Sequence, residues 1–296
     1  MEYAYVNGKY TPANKATVSI FDRGLVLGDG LFETLKAIEG KPEFFKEHYQ
    51  RLSRSAKRLK IKVPTDEKTM LQIVQRLCKK SGFLKKGCAT AIRITLTRGV
   101  YKGALSLEKE MKPTLIITAR LVPPVATGDK SIYKKGVRVI VSSVSKAAAS
   151  GLDPSVKTTN YLANIFAKAE ADQRKAYEAI LLGAKGDIAE LSTANFFGFR
   201  KGVLYTPPLE VGILPGITRQ QILLIGKKMG CPVVEKPIKI GDVTKLEEAF
   251  LTSSIRGVVP IVKVDKTIIG AGKVGEQTQK WSQAYLEQAN RSRGRS

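Results

Sequence analysis

Four stretches in the second half of the chain hold side chains able to do chemistry together. Lys157 lies in LDPSVKTTNYLANIF, just before a helical pattern and followed by small and apolar residues. A lysine withdrawn from water holds its proton less tightly and can offer a neutral amine for Schiff-base formation. Glu190 ends a strand-like run in GDIAELSTANFF, a hydrophobic setting in which an unpaired carboxylate is costly. It reads either as a turn acid or as the partner of a cationic ring nitrogen. LPGITRQQ places Gly216, Ile217 and Thr218 at a helix start, where free N–H groups, the helix dipole and one hydroxyl suit a phosphate. LTSSIRG adds the hydroxyls of Ser253 and Ser254 at the end of an apolar strand.

An amine, a carboxylate and an anion cradle are the three contacts that pyridoxal phosphate requires. Competing chemistries lack their parts. A dinucleotide needs GxGxxG after a strand and a nucleoside triphosphate needs GxxxxGK[ST]; the chain has neither. Its three cysteines, Cys78, Cys88 and Cys231, form no CxxC pair, and with the single His48 they give no structural-zinc spacing, so no metal site is expected. GxSxG is absent, and His48 sits in a helical pattern far from any such turn, which argues against a serine hydrolase.

These groups need a scaffold, and the composition allows a large one. The 296 residues are 43% hydrophobic and 26% charged, which permits a sizeable core and argues against disorder. No stretch approaches the roughly 18 apolar residues of a membrane helix, and the start lacks a signal-peptide core, so a soluble cytoplasmic protein is expected. The formal net charge is +24, and Lys46 to Lys86 alone holds 13 basic and 3 acidic residues. That run reads as amphipathic surface helices with Leu52, Ala56, Leu59 and Ile61 inward. It lacks interleaved aromatics or a reading module, which argues against a nucleic-acid partner.

The patterns predict an α/β protein of mixed sheets. Strands fall at 4–6, in GDGLFETLKAIEGKPEFF, in ATAIRITLTRG and in KPTLIITARLV, with helices at about 47–60 and 66–81. LVPPVATGDKS, with two prolines and no periodicity, reads as a linker. The expected division is a small domain over 1–120, a linker over 121–131 and a larger domain over 132–296. The second half adds strands, a helix-to-strand run in VTKLEEAFLTSS, and two longer helices. One of these, NYLANIFAKAEADQRKA, has Leu162, Ile165, Phe166 and Ala169 on one face. Such mixed strands do not make a doubly wound parallel sheet.

The ordered motifs VSIFDRGLVLGDGLFET, EHYQRLSRSA, VKTTNYLANIFAKAEA, YEAILLGAKGDIAELSTANFFGF, GVLYTPPLEVGILPGITR and EAFLTSSIRGVVPI resemble those of the fold-type IV pyridoxal-phosphate enzymes. That family holds branched-chain and D-amino-acid aminotransferases and aminodeoxychorismate lyases. The resemblance covers almost the whole chain and implies the two-domain fold-type IV architecture. Lys157 would be the Schiff-base lysine and proton shuttle, and Glu190 would pair with the pyridine nitrogen. Arg51 would hold the phosphate with Ile217, Thr218, Ser253 and Ser254, and Tyr161 would approach the phenolic oxygen. A homodimer with sites near the subunit interface is also implied.

The resemblance further implies a ping-pong aminotransferase moving an amino group between a branched-chain L-amino acid or a D-amino acid and a 2-oxo acid. The alternative is an aminodeoxychorismate lyase that releases pyruvate in 4-aminobenzoate and folate synthesis. The trap for the substrate carboxylate is less defined. Arg98 of TLTRGVYKG stands where the D-amino-acid enzymes have an Arg-x-His motif, but no histidine follows. Lys36, where relatives often have arginine, and Arg256 are further candidates. Phe32 and Tyr101 would wall the side-chain pocket.

Overall fold

The computed structural model describes residues 1–100, 103, 105–107, 111–122, 130–146, 153–231 and 233–294. It divides into two compact units: Met1–Pro123 with Val156–Asn160 and Ala289–Ser296, and Pro124–Ser155 with Tyr161–Gln288. The division differs from the expected one. The stretch around Lys157 and the C-terminal residues, placed by sequence in the larger domain, belong to the first unit. Most of the expected linker lies outside the described residues.

The first unit is built on an antiparallel sheet of β1 (Tyr3–Val6), β2 (Lys9–Pro12), β3 (Gly30–Ile38), β4 (Lys41–Pro42), β5 (Ala89–Thr97) and β6 (Thr114–Leu121), ordered β2-β1-β6-β5-β3-β4. Alternation along β5 sends Ile92, Ile94 and Leu96 to one face and Ala91, Arg93 and Thr95 to the other. The apolar face is covered by α2 (Phe45–Arg58) and α3 (Glu67–Lys80). Their Leu52, Ala56, Met70, Val74 and Leu77 join Leu31, Leu35, Ile92 and Ile94 in one core, as the helical periodicity predicts. A third, single-turn helix, α1 (Arg23–Val26), is capped by Asp22, which accepts from the Gly24 N–H. Asp66 caps α3 in the same way through the Thr69 N–H.

The two-residue β4 pairs only with Ala37 and Ile38, leaving the first half of β3 an unpaired edge. The lysine-bearing stretch fills it. Phe32 N donates to Lys157 O at 2.8 Å, Thr159 N donates to Gly30 O at 2.9 Å, and Leu31 bridges Thr158.

The second unit carries a nine-stranded mixed sheet. Its strands are β7 (Val137–Val141), β8 (Glu178–Leu182), β9 (Ile188–Leu191), β10 (Asn195–Arg200), β11 (Val203–Thr206), β12 (Val233–Glu235), β13 (Glu248–Ser253), β14 (Gly257–Val264) and β15 (Thr267–Ile268). Among the described residues, parallel pairing is confined to β11/β12, β14/β7 and β7/β8. The helices are α4 (Lys130–Lys135), α5 (Leu162–Gln173), α6 (Ile217–Met229) and α7 (Glu276–Arg293), the last belonging to this unit up to Gln288. On α5, Ala167 and Ala171 face the core and pack with Ile140, Ala179 and Leu181. The large face of that helix is turned to solvent: Leu162, Ile165 and Phe166 are 67%, 56% and 61% exposed. Small residues let α5 lie close to the sheet, and the larger side chains project outward.

Candidate active site

In the second unit the site grows from the turn between β9 and β10 and from the start of α6. Glu190 is buried on β9, where its neighbours Ala189 and Leu191 are core residues. Its carboxylate is satisfied from three sides. Lys146 forms an ion pair with Oε1, Leu214 N donates to Oε2 at 2.9 Å, and Asn195 Nδ2 approaches Oε2 at 3.4 Å. Asn195 also donates to Leu214 O at 3.0 Å, so it ties Glu190 to the loop that leads into α6. Across the β10–β13 ladder Asn195 is paired with Thr252, whose buried hydroxyl has no hydrogen-bond partner among the described residues.

Helix α6 starts at Gly216, and no side chain caps it. A Cβ on Gly216 would lie 2.0 Å from Asn195 Oδ1, so only glycine lets this N-terminus close on Asn195. The uncapped N–H groups of Ile217 and Thr218 keep the donors and positive dipole end that suit an anion. The Thr218 hydroxyl is 3.5 Å from that of Tyr285. Tyr161 is the residue before α5 and is half-buried. A buried carboxylate for a cationic ring nitrogen, an uncapped helix start and an orphaned hydroxyl fit the shape and charge of pyridoxal phosphate.

The turn after β13 behaves differently from its sequence reading. Arg256, expected as a carboxylate trap, is engaged throughout. It donates from Nη1 to Glu178 Oε1 at 2.9 Å, from Nε to Ser253 Oγ at 3.0 Å and from Nη2 to Thr193 Oγ1 at 2.6 Å. Glu178, wholly buried, also accepts from the Ser192 and Thr193 hydroxyls. Burial works against the charge on Arg256, but the adjacent Glu178 carboxylate and Tyr177 override it and raise the guanidinium above its usual range. Ser253, expected in the phosphate cup, therefore accepts from Arg256; Ser254 lies in the same turn.

In the first unit Lys157 is half-buried, with its Nζ 4.6 Å from the Phe32 ring centroid. Arg93 lies over the same ring, 3.6 Å from its centroid to Cζ. The register explains the meeting: Phe32 pairs with Thr95, and Thr34 with Arg93, on the sheet face away from the helices. Arg93 was missed in the sequence, although a lone arginine at an alternating position of ATAIRITLT was the visible signal. Lys36, on that same face, forms an ion pair of 3.2 Å with Glu43 Oε2, without the alignment of a good hydrogen bond.

Arg51 and Arg98 also have carboxylate partners. Arg51 grips Glu33 with two bonds of 2.7 Å, from Nε to Oε1 and from Nη2 to Oε2, and His48 Nδ1 is 2.7 Å from the same Oε2. His48 and Arg51, three apart on α2, present one face to Glu33. Burial would raise the Glu33 pKa, but Arg51 and His48 outweigh it and hold the carboxyl at about 2. The imidazole itself is pushed down, chiefly by burial, against the pull of Glu33. Arg98, expected as a carboxylate trap, clamps Asp29 through Nε at 2.7 Å and Nη2 at 3.0 Å and donates to the Leu59 and Lys60 carbonyls. It is tied to the end of α2 because that helix terminus needs donors. Tyr101 lies outside the described residues. Burial drives the Cys78 thiol up to about 12, away from the thiolate form.

Residues 30–264 match the model of the amino-transferase class IV family. The chain belongs to that family. A Methanocaldococcus jannaschii protein provisionally named a branched-chain-amino-acid aminotransferase is 36% identical over 96% of this chain and 95% of its own. The D-alanine aminotransferase of Listeria innocua is 30% identical over 98% and 96%. Among solved structures, the T.th. branched-chain amino acid aminotransferase with pyridoxamine 5′-phosphate superposes with a TM-score of 0.89 at 27% identity, covering 98% of this chain and 95% of that one. The fold is that of the fold-type IV enzymes, and the chain is a pyridoxal-phosphate-dependent aminotransferase.

Proposed function

We propose that this class IV aminotransferase takes the amino group of branched-chain L-amino acids and passes it to a 2-oxo dicarboxylate. The carrying observation is the Phe32 ring, which has the Lys157 amine at 4.6 Å and Arg93 at 3.6 Å. An apolar ring beside the reacting amine suits a branched aliphatic side chain, and the cation beside it suits a second carboxylate. The names of relatives favour the same class. The T.th. enzyme has also been solved with a phosphopyridoxyl-L-glutamate adduct and with 4-methylvaleric acid, a pair that joins a dicarboxylate and a branched aliphatic chain. The aminodeoxychorismate lyase of Bacillus subtilis is also related, at 30% identity, but the 36% identical relative is named for branched-chain transamination, so the lyase alternative is not the favoured reading.

In this reading Lys157 would hold the cofactor covalently and, once released, would move the proton from the substrate Cα to the cofactor carbon that carries the nitrogen. Bound pyridoxal phosphate supplies a ring that accepts the electron pair left at that carbon. Glu190, oriented by Asn195 and Leu214 N, keeps the ring nitrogen protonated. The N-terminus of α6, with Ile217 and Thr218, takes the phosphate, joined by Arg51 and Ser254. Two substrates using one site in turn give ping-pong kinetics.

The reading includes a cytoplasmic homodimer. Supporting it are the outward Leu162, Ile165 and Phe166 on α5 and, in the first unit, the exposed Ile20, Phe21 and Leu25. Such patches are uncommon on monomers and suit a second copy.

The test is the half-reaction. L-Leucine or L-valine should convert bound pyridoxal phosphate to pyridoxamine phosphate, and D-alanine should not. Arg93→Leu should leave that step intact and raise KM for 2-oxoglutarate about tenfold or more, the size expected for losing one charge-assisted carboxylate contact. Conversion by D-alanine but not leucine would overturn the substrate assignment, and Lys157→Ala should abolish both.

A further inference from the structure

The outer face of α2 and α3 carries a dense run of positive charge. Twelve of the thirteen Lys and Arg from Lys46 to Lys86 are exposed, against one exposed carboxylate, Asp66. These helices cover the sheet face opposite Phe32 and Arg93, so the charge stands apart from the substrate-facing side. A depression of about 830 Å³ on the α3 side has Gln72, Gln75, Arg76, Lys79, Lys80 and Leu84 in its lining. Among the described residues none of Arg76, Lys79 and Lys80 has a carboxylate within ion-pair distance. Two of the three are pre-positioned on aromatic faces instead. Arg76 Cζ lies 5.1 Å from the Tyr10 ring, and Lys80 Nζ lies 5.5 Å from that of Tyr3 and 5.8 Å from that of Tyr10. The aromatic company absent from the basic run in sequence is thus supplied in space by β1 and β2.

We propose that this face binds the phosphate backbone of nucleic acid without sequence preference. Charge decides among partners. A second copy would bring the same positive face and be repelled. A protein partner needs an apolar interface core, and between Lys46 and Lys86 the face offers one exposed large hydrophobic side chain, Leu84. A membrane could meet this face only through headgroup charge, because the apolar faces of α2 and α3 are buried in the unit's own core and leave nothing to insert. A polyanion that is all charge and little apolar surface fits what remains. From Lys68 to Lys80, α3 spans about 18 Å, comparable to about five nucleotide steps along one strand.

The test uses the full-length holoenzyme and a fluorescein-labelled single-stranded RNA of mixed sequence, with anisotropy followed across a salt series. Binding should weaken steeply with salt. The Arg76→Gln/Lys79→Gln/Lys80→Gln variant should bind at least about tenfold more weakly, and its log K against log salt slope should be shallower by about 2, as expected when three phosphate contacts are lost. A control of equal charge loss in the second unit, Lys185→Gln/Lys227→Gln/Lys266→Gln, should leave affinity and slope near wild type. Both variants should keep full transaminase activity, which reports folding. Equal weakening by the two triples would overturn the proposal, since binding would then be a diffuse effect of net charge. So would binding of phosphatidylserine vesicles or inorganic triphosphate with no binding of RNA.

Discussion

Arg256 donates from Nη1 to Glu178 Oε1 across 2.9 Å, and Glu178 has no exposed surface. The pair joins two turns, because Arg256 also reaches Ser253 and Thr193 while Glu178 holds Ser192 and Thr193. A guanidinium so engaged is a positioning residue for the loops around the proposed phosphate cup. Arg256→Ala should cost about 3 to 5 kcal/mol of stability, since it leaves a carboxylate buried without its countercharge. Arg256→Lys should fold, keep KM for the amino acid within about twofold and release the cofactor more readily. Thermal denaturation and the dissociation constant of pyridoxal phosphate check both. A large rise in amino-acid KM with unchanged cofactor affinity would restore Arg256 as a substrate contact.

Lys146 occupies Glu190 in a manner that bears on cofactor entry. The ammonium is 19% exposed and the carboxylate 7%, so the pair is partly screened. A protonated ring nitrogen must share or displace it. Lys146→Met should therefore tighten binding of pyridoxal phosphate to the cofactor-free enzyme by up to about fivefold, the equivalent of ~1 kcal/mol for a partly exposed ion pair. Fluorescence titration of the cofactor-free protein reads this directly. Weaker binding would mean that Lys146 orients Glu190 for the cofactor.

The sequence was informative where local chemistry and periodicity coincide. Alternation in ATAIRITLT and the apolar stripe of Leu52 and Ala56 specify a strand and a helix because each must bury one face. The uncapped start at Gly216 was legible because glycine before a helix leaves donors open. The engagement of Arg98 and Arg256 was not legible. Each pairs with a carboxylate distant in the chain, Asp29 or Glu178, and nothing in the spacing of arginines tells an available cation from one already matched. Lys146 was invisible for the same reason. The membership of Lys157 in the first unit depends on the shortness of β4, which leaves an edge of β3 to be filled.

Glu33, His48 and Arg51 should make the first unit acid-sensitive. Glu33 titrates at about 2 in the fold against 4.5 ordinarily, so its contribution is full above pH ~4.5 and is lost as pH falls toward 2. His48 is lowered, so the unfolded chain takes up a proton below about pH 6.5 that the folded imidazole refuses, and stability falls with pH there too. Both act in the same direction. Glu33→Gln should flatten the loss of Tm between about pH 4.5 and 2, at a cost near neutrality on the order of 3 kcal/mol, the size of the shift. His48→Gln should flatten the segment near pH 6. An unchanged Tm profile in Glu33→Gln would show that the triad contributes no linkage.

On α5 the distribution of side chains is inverted relative to an ordinary surface helix: alanines face inward and Phe166 stands 61% exposed. Leaving Leu162, Ile165 and Phe166 in water forfeits about 1.5 to 3 kcal/mol for each large side chain that a partner would bury. If a second copy covers this face, Phe166→Asp places a charge in an apolar contact and should raise the dimer dissociation constant by about two orders of magnitude or more. The intramolecular core is untouched, because Ala167 and Ala171 make the contact with the sheet. Light scattering across a dilution series should show wild type as a dimer and the variant as a monomer with unchanged far-ultraviolet circular dichroism. A variant that remains dimeric at the same dilution would remove α5 from the interface.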